Sequence, residues 1–255
     1  MTTMWKMIGL ALSLTAMAPA PAAAQVAVDL ELILMADGSG SIDDFEFALQ
    51  RGGYARALRD ARVINAIRSD PLGKIALAYV EWSGPELQVE IVPWTVIREA
   101  VDIVAIAREL ERSPRELHGG GTALGDAILY AARSLDENKF AARRRVIDIS
   151  GDGPDRNGLD AVVGRDAAVK RGITVNGLLI LFSFARLDIF FRENVIGGPG
   201  AFLLPTRNFE DIEIAILGKL IREIAGRSAD DKPGRLAYRP ATVMPSMRIV
   251  GALVP

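Results

Sequence analysis

The chain has 255 residues, half of them hydrophobic, so its length predicts one sizeable core and one domain, or at most two. Its 30 Lys and Arg against 32 Asp and Glu leave a net charge of -2, without the basic excess that nucleic-acid binding demands. The absence of cysteine excludes a disulfide framework, a thiolate zinc site and a cysteine nucleophile.

In chain order, Lys6 is followed by the apolar run Met7 to Met17 and then by Ala18-Pro19-Ala20-Pro21-Ala22-Ala23-Ala24. This three-part pattern predicts a secretory signal peptide over residues 1–24, cleaved after Ala24. The apolar run is well short of the about 20 residues of a spanning helix, so no stable membrane insertion is expected after cleavage. A cysteine-free exported chain of this size fits a periplasmic or secreted bacterial protein.

From Val28 to Ile224 short aliphatic runs alternate with longer amphipathic segments. Strands are predicted over Val28–Ala36, Lys74–Trp82, Leu87–Val92, Arg145–Ile149, Ile173–Ile180 and Ala201–Pro205. Helices are predicted over Asp43–Ile67, Ile97–Arg112, Thr122–Leu135, Gly158–Arg171, Ala185–Asn194 and Phe209–Ala225. Gly52-Gly53 should weaken or bend the first helix, and Asn208 is a candidate N-cap for the last. Ser83-Gly84-Pro85 precedes an alternating run, which predicts a hairpin to an antiparallel edge strand. The expected fold is α/β, a Rossmann-like, doubly wound, mostly parallel six-stranded sheet with helices on both faces. The domain is expected over residues 25–226, and residues 227–255 read as a linker or loosely ordered tail.

Three loops at or beside the carboxyl ends of predicted strands carry the chemistry, where open α/β sheets bind ligands. Asp37-Gly38-Ser39-Gly40-Ser41 supplies one carboxylate and two hydroxyls, Gly119-Gly120-Gly121-Thr122 a third hydroxyl, and Ser150-Gly151-Asp152-Gly153 a second carboxylate. All five, Asp37, Ser39, Ser41, Thr122 and Asp152, are hard oxygen donors suited to Mg²⁺, with Mn²⁺ or Ca²⁺ as alternatives. A hard cation with few charged ligands keeps a free position, which a partner's acidic residue can fill.

Asp-x-Ser-x-Ser after the first strand, Gly-Gly-x-Thr and the later Asp-Gly resemble the metal-ion-dependent adhesion site of von Willebrand factor type A (vWA) domains. The resemblance implies that Ser39, Ser41 and Thr122 bind the ion through hydroxyls, with Asp37 and Asp152 acting directly or through water. The segments Tyr79–Gly84, Val146–Gly153 and Asn194–Ala201 resemble an exported bacterial vWA-like family classed only as a domain of unknown function. Ser150-Gly151 stands before Asp152 where many vWA domains have Thr, a local departure.

The expected function is therefore non-enzymatic binding of a partner protein's acidic group through a divalent cation. A metal-assisted hydrolase or phosphoryl-transfer enzyme using Asp37 is the alternative, although no second carboxylate stands beside Asp37 as general acid. A structural subunit with an unused site is the third reading. Asp155, Asn157 and Gly158 read as turn and cap residues rather than a second ion site, and the lone His118 as a solvated loop residue. Asp148, inside an apolar strand, is expected to pair with one of Arg143 to Arg145. Glu81 and Trp82 close a strand at the same edge, with partner contact or core packing as their alternatives.

Overall fold

Strand β1 (Val26–Asp37) runs through the middle of the sheet, as its unbroken apolar run demands: Leu30, Ile33, Leu34 and Met35 are all fully buried. It belongs to a computed structural model that describes residues 24–180, 186–206 and 211–226. Nearly all of the expected signal peptide, the tail over 227–255 and the candidate cap Asn208 lie outside the described residues.

The other strands are β2 (Ile75–Trp82), β3 (Gln88–Ile97), β4 (Phe140–Gly151), β5 (Thr174–Ile180) and β6 (Leu203–Thr206), in the order β3-β2-β1-β4-β5-β6. All neighbours are parallel except β2 and β3. This is the expected doubly wound sheet with one antiparallel edge strand. Side chains alternate between two cores. Leu30, Leu32, Leu34 and Ala36 of β1 enter one core with Leu77 and Tyr79 of β2. Ile33 and Met35 enter the other with Ala78, Val80 and Trp82.

Helices α1 (Asp44–Arg59), α2 (Ala61–Ser69) and α3 (Ala100–Arg112) cover the first core. Helices α4 (Leu124–Glu137), α5 (Ala161–Lys170) and α6 (Leu187–Phe190), which continues into a π-helical turn over Phe191–Val195, cover the second. Helix α7 (Ile212–Ile224) returns to the first core, where Ile212, Ile216 and Leu220 are buried. Each such fully buried aliphatic side chain contributes about 1.5–3 kcal/mol.

The structure corrects several expectations. The predicted helix Asp43–Ile67 is two helices, and the break falls at Asp60 rather than at Gly52-Gly53. Asp60 adopts extended backbone and its side chain accepts from the Arg62 N–H, so it caps the second helix while ending the first. Gly53 stays helical because α7 packs there: a Cβ on it would lie 3.1 Å from Ile216 Cδ1. Strand β3 continues past Val92 to Ile97, and its pairing with β2 shifts register between Leu77 and Tyr79, opposite Thr95 and Val92. Pro93 is tolerated because this is an edge strand.

Asp148 is buried, but its partner is not an arginine. Lys219 Nζ of α7 lies 2.6 Å from Asp148 Oδ1, close as an ion pair though poorly aligned as a hydrogen bond, and 2.5 Å from Glu223 Oε1. Arg144 instead bonds Asp70, and Arg145 bonds Asp136. Nor do Glu81 and Trp82 face a partner: both are fully buried. Trp82 packs in the second core, and Glu81 takes two 2.8 Å hydrogen bonds from Arg51.

Candidate metal centre

Parallel register brings the three loops together. Asp37 of β1 stands opposite Trp82 of β2, and Met35 opposite Ile149 of β4, so these strands end at one level. Asp37 is therefore the last residue of a central strand, and the chain turns immediately into α1. The turn is held locally: Asp37 Oδ1 accepts the Ser39 N–H at 2.8 Å, and Asp43 and Glu46 form a reciprocal capping box at the start of α1.

Four of the five sequence-predicted residues share one hydrogen-bonded set. The Ser39 and Ser41 hydroxyls are 3.1 Å apart, and Ser41 Oγ donates to Asp152 Oδ1 at 2.7 Å. The Asp152 N–H approaches Asp37 Oδ2 at 3.4 Å, closing the circuit across β1 and β4. Thr122 shares no hydrogen bond with these four among the described residues. It is placed beside them by its loop: a Cβ on Gly40 would lie 3.5 Å from Gly119 Cα, and one on Gly38 3.2 Å from Leu117 Cβ.

That loop takes its shape from Gly119, Gly120 and Gly121, whose φ angles of 151°, 105° and 97° favour residues without a Cβ. Ser83 bonds the Gly119 carbonyl through its hydroxyl and accepts the Ala123 N–H on its own carbonyl, at 2.8 Å. Asn157 Oδ1 accepts the Thr122 N–H at 2.9 Å, and Asn157 Nδ2 donates to the Gly120 carbonyl. Asp155 accepts from Leu124 N–H through one oxygen and Ala161 N–H through the other, capping α4 and α5 at once. Asp155 and Asn157 thus have the turn and cap roles expected of them. His118 is exposed, with its ring Nε2 3.1 Å from the Arg115 carbonyl oxygen, as a solvated loop residue should be.

Three supporting residues escaped the sequence reading. Gln50 Nε2 donates to the Asp37 carbonyl at 2.8 Å, while its Oε1 accepts from the Ser150 hydroxyl at 3.0 Å. Ser150 Oγ in turn accepts the Asp37 N–H. Ser83 is the third, and it ties the glycine loop to β2. A signal for Gln50 was present: it lies three residues after Phe47 and four before Tyr54, on the stripe that α1 buries.

The electrostatics are those of a buried carboxylate pair, with Arg156 as the cation that acts on Asp152. Asp37 is fully buried, and burial, followed by the charge of Asp152, pushes its carboxyl up to about 7. The groups that favour its ionised form are hydrogen-bond donors, namely Ser39 and the Asp152 backbone. Burial also raises Asp152, against the hydrogen bond from Ser41. Among the described residues no three His, Cys, Asp or Glu side chains are placed to hold an ion. Two carboxylates with neighbouring hydroxyls nevertheless fit a hard divalent cation, which takes oxygen ligands and keeps water in its shell.

Comparison with solved structures shows the same fold at low identity. Proximal thread matrix protein 1 from the mussel byssus, in a structure with a zinc-occupied MIDAS motif, superposes with a TM-score of 0.57 at 14% identity over 79% of this chain and 49% of that one. A von Willebrand factor type A protein from Catenulispora acidiphila gives 0.54 at 17% identity, over 78% and 43%. The pilus adhesin SpaC from Lactobacillus rhamnosus GG gives 0.58 at 15%, over 77% and 30%. The chain spans half or less of the length of these relatives. No curated protein matches it. Residues 27–228 match the family described as "Protein of unknown function (DUF1194)". With its vWA-type fold and a match over most of its length, the chain belongs to that family.

Proposed function

We propose that the protein is a non-enzymatic binding domain that captures an acidic group of a partner protein through a divalent cation. Asp37, Ser39, Ser41, Thr122 and Asp152 would hold the ion, with Mg²⁺ the best match to the donor set. The observation that carries this reading is the Ser39–Ser41–Asp152 oxygen chain abutting a buried Asp37 whose charged neighbour is another carboxylate. When bound, the ion supplies a Lewis-acid position open to a carboxylate. The chain's own residues do the rest. Gln50 and Ser150 fix the Asp37 backbone, Ser41 orients Asp152, and Asn157 and Ser83 hold the loop that presents Thr122.

The second carboxylate beside Asp37, that of Asp152, accepts the Ser41 hydroxyl and is thereby built into the oxygen cluster, which supports binding over turnover. The likeness to a pilus adhesin and to a byssus protein with zinc at this motif supports the same class of function. Export follows from the Lys6-to-Ala24 pattern, with residues 1–24 removed, residues 25–226 as the binding domain and 227–255 as an extension. Among the described residues no helix is long and apolar enough to cross a membrane.

Calorimetric titration of Mg²⁺, Mn²⁺ and Ca²⁺ into the parent protein and into Asp37→Ala tests the metal. Binding by the parent that is lost in the variant is expected; no binding by the parent overturns it. Capture of a periplasmic partner in Mg²⁺, released by chelator, tests its use. Metal-dependent hydrolysis of a phosphoester that Asp37→Ala abolishes would replace the binding role with an enzymatic one.

A further inference from the structure

A cavity of about 360 Å³ opens at the far side of the sheet from the candidate metal centre, toward the amino ends of β4 and β5. Its walls include Arg143, Arg144, Arg145, Phe202, Arg222 and Glu223. Four guanidinium groups around one cavity are costly unless their charge is answered, so their partners decide what the cavity can hold.

Two of the four are answered within the protein. Arg144 bonds Asp70 Oδ2 at 2.7 Å and the carbonyls of Glu223 and Ile224. Arg145 bonds Asp136 Oδ1 at 2.7 Å and the Arg171 carbonyl. The other two have no carboxylate partner among the described residues. Arg143 is exposed at the start of the wall, and Arg222 lies flat on the Phe202 ring, its guanidinium carbon 3.8 Å from the ring centre. Stacking fixes the plane of that guanidinium while leaving its N–H fork free for an oxyanion.

The buried floor points the same way. Glu223 is only 4% exposed, and its Oε2 has no hydrogen-bond partner among the described residues, while Oε1 is held by Asn176 and Lys219. Burial and the neighbouring Asp148 push its carboxyl up, against Lys219 and Asn176, and both of these hold it from inside the fold. Lys219 lies within ion-pair distance of both Asp148 and Glu223. The cavity is left with the guanidinium groups of Arg143 and Arg222, which no carboxylate among the described residues answers.

We propose that this cavity binds a small doubly charged oxyanion, a phosphate monoester or a dicarboxylate, between Arg143 and Arg222. Its volume admits a compact metabolite-sized anion and no folded partner. The site stands apart from the candidate metal centre, so its occupancy is independent of Asp37.

The test is calorimetric titration of the full chain with inorganic phosphate and, separately, with succinate. One-to-one binding of either is expected, and the probe that binds names the head group. Arg222→Gln and Arg143→Gln should each weaken it about tenfold, Arg222→Lys less, and Asp37→Ala not at all. No binding of either probe up to about 10 mM, or equal binding in the Arg143→Gln/Arg222→Gln double variant, overturns the proposal. The chain leaves the cavity wall at Gly226 and carries Asp230 and Asp231 a few residues later. If a probe binds only after Asp230→Asn and Asp231→Asn, the occupant is the chain's own tail and the free-ligand site is refuted.

Discussion

Replacing Glu223 with glutamine probes the buried triad that joins α7 to the sheet. In the parent, Lys219 Nζ lies between Asp148 and Glu223, all three nearly inaccessible, so two carboxylates compete for one ammonium. Burial, and after it the charge of Asp148, raises the Glu223 carboxyl from 4.5 to about 8. A carboxyl with a raised folded pKa binds its proton more tightly in the native state than in the unfolded one. The stability this proton confers is complete below about 4.5 and is lost as pH rises through about 8. At 1.36 kcal/mol for each pH unit, the window corresponds to an upper bound of about 5 kcal/mol. Glutamine keeps the oxygen that accepts from Asn176 and Lys219 and does not titrate. Its NH₂ falls where Oε2 already lacks a partner, at a cost of about 1 kcal/mol. Glu223→Gln should thus be slightly less stable than the parent near pH 5 and several kcal/mol more stable near pH 9, with the curves crossing between. Urea unfolding midpoints across that range, in chelator-treated buffer, measure it. Asp37 also has a raised pKa, but it contributes equally to both proteins and cancels in the difference. Parallel curves, or a variant less stable at high pH, would refute the assignment of the proton to Glu223.

Asp155→Ala removes the caps of α4 and α5 together and should cost about 2 kcal/mol, read as a fall in Tm of roughly 4–8 °C. Arg51→Met strands a buried Glu81 and should cost about 3–5 kcal/mol in urea unfolding. Adding Glu81→Gln to that variant should recover most of the loss, because the uncompensated charge is then gone. Gln50→Leu leaves the Asp37 carbonyl and Ser150 short of partners, for about 1–3 kcal/mol, and should weaken Mg²⁺ binding about tenfold by calorimetry. Unchanged Mg²⁺ affinity in a folded Gln50→Leu would separate Gln50 from the site.

The sheet was legible because burial on both faces leaves a plain mark: Leu32 to Ala36 and Ile75 to Val80 have no polar interruption. The antiparallel edge was legible from Ser83-Gly84-Pro85 and the alternation after it. The helix break was misread because glycine propensity is a local quantity, whereas Gly53 is decided by Ile216, more than 160 positions along the chain. Asp37, Ser39 and Ser41 could be read as a group because they are adjacent in sequence. The role of Ser150 could not, since it meets Asp37 across 113 positions and Gln50 across 100, whereas Gln50 lies only 13 from Asp37 and left a signal in the buried stripe of α1. Asp148 failed for the same reason: a nearby arginine was the expectation, and the fold supplied a lysine 71 residues away.

The shared termination level of β1 and β4 also sets how the candidate metal centre can evolve. Loop tips usually absorb insertions, but here the spacing between Asp37 and Asp152 is a property of strand pairing, fixed by Leu34 opposite Asp148 and Met35 opposite Ile149. One residue added within β4 would carry Asp152 about 3.3 Å along the strand and turn Asp148 away from Lys219 toward the α4–α5 side. Such a change would uncouple the oxygen cluster and leave a lysine unpaired in the core in a single step. An insertion beyond the paired strands leaves this spacing intact, and the β1–β4 register behaves as a fixed gauge.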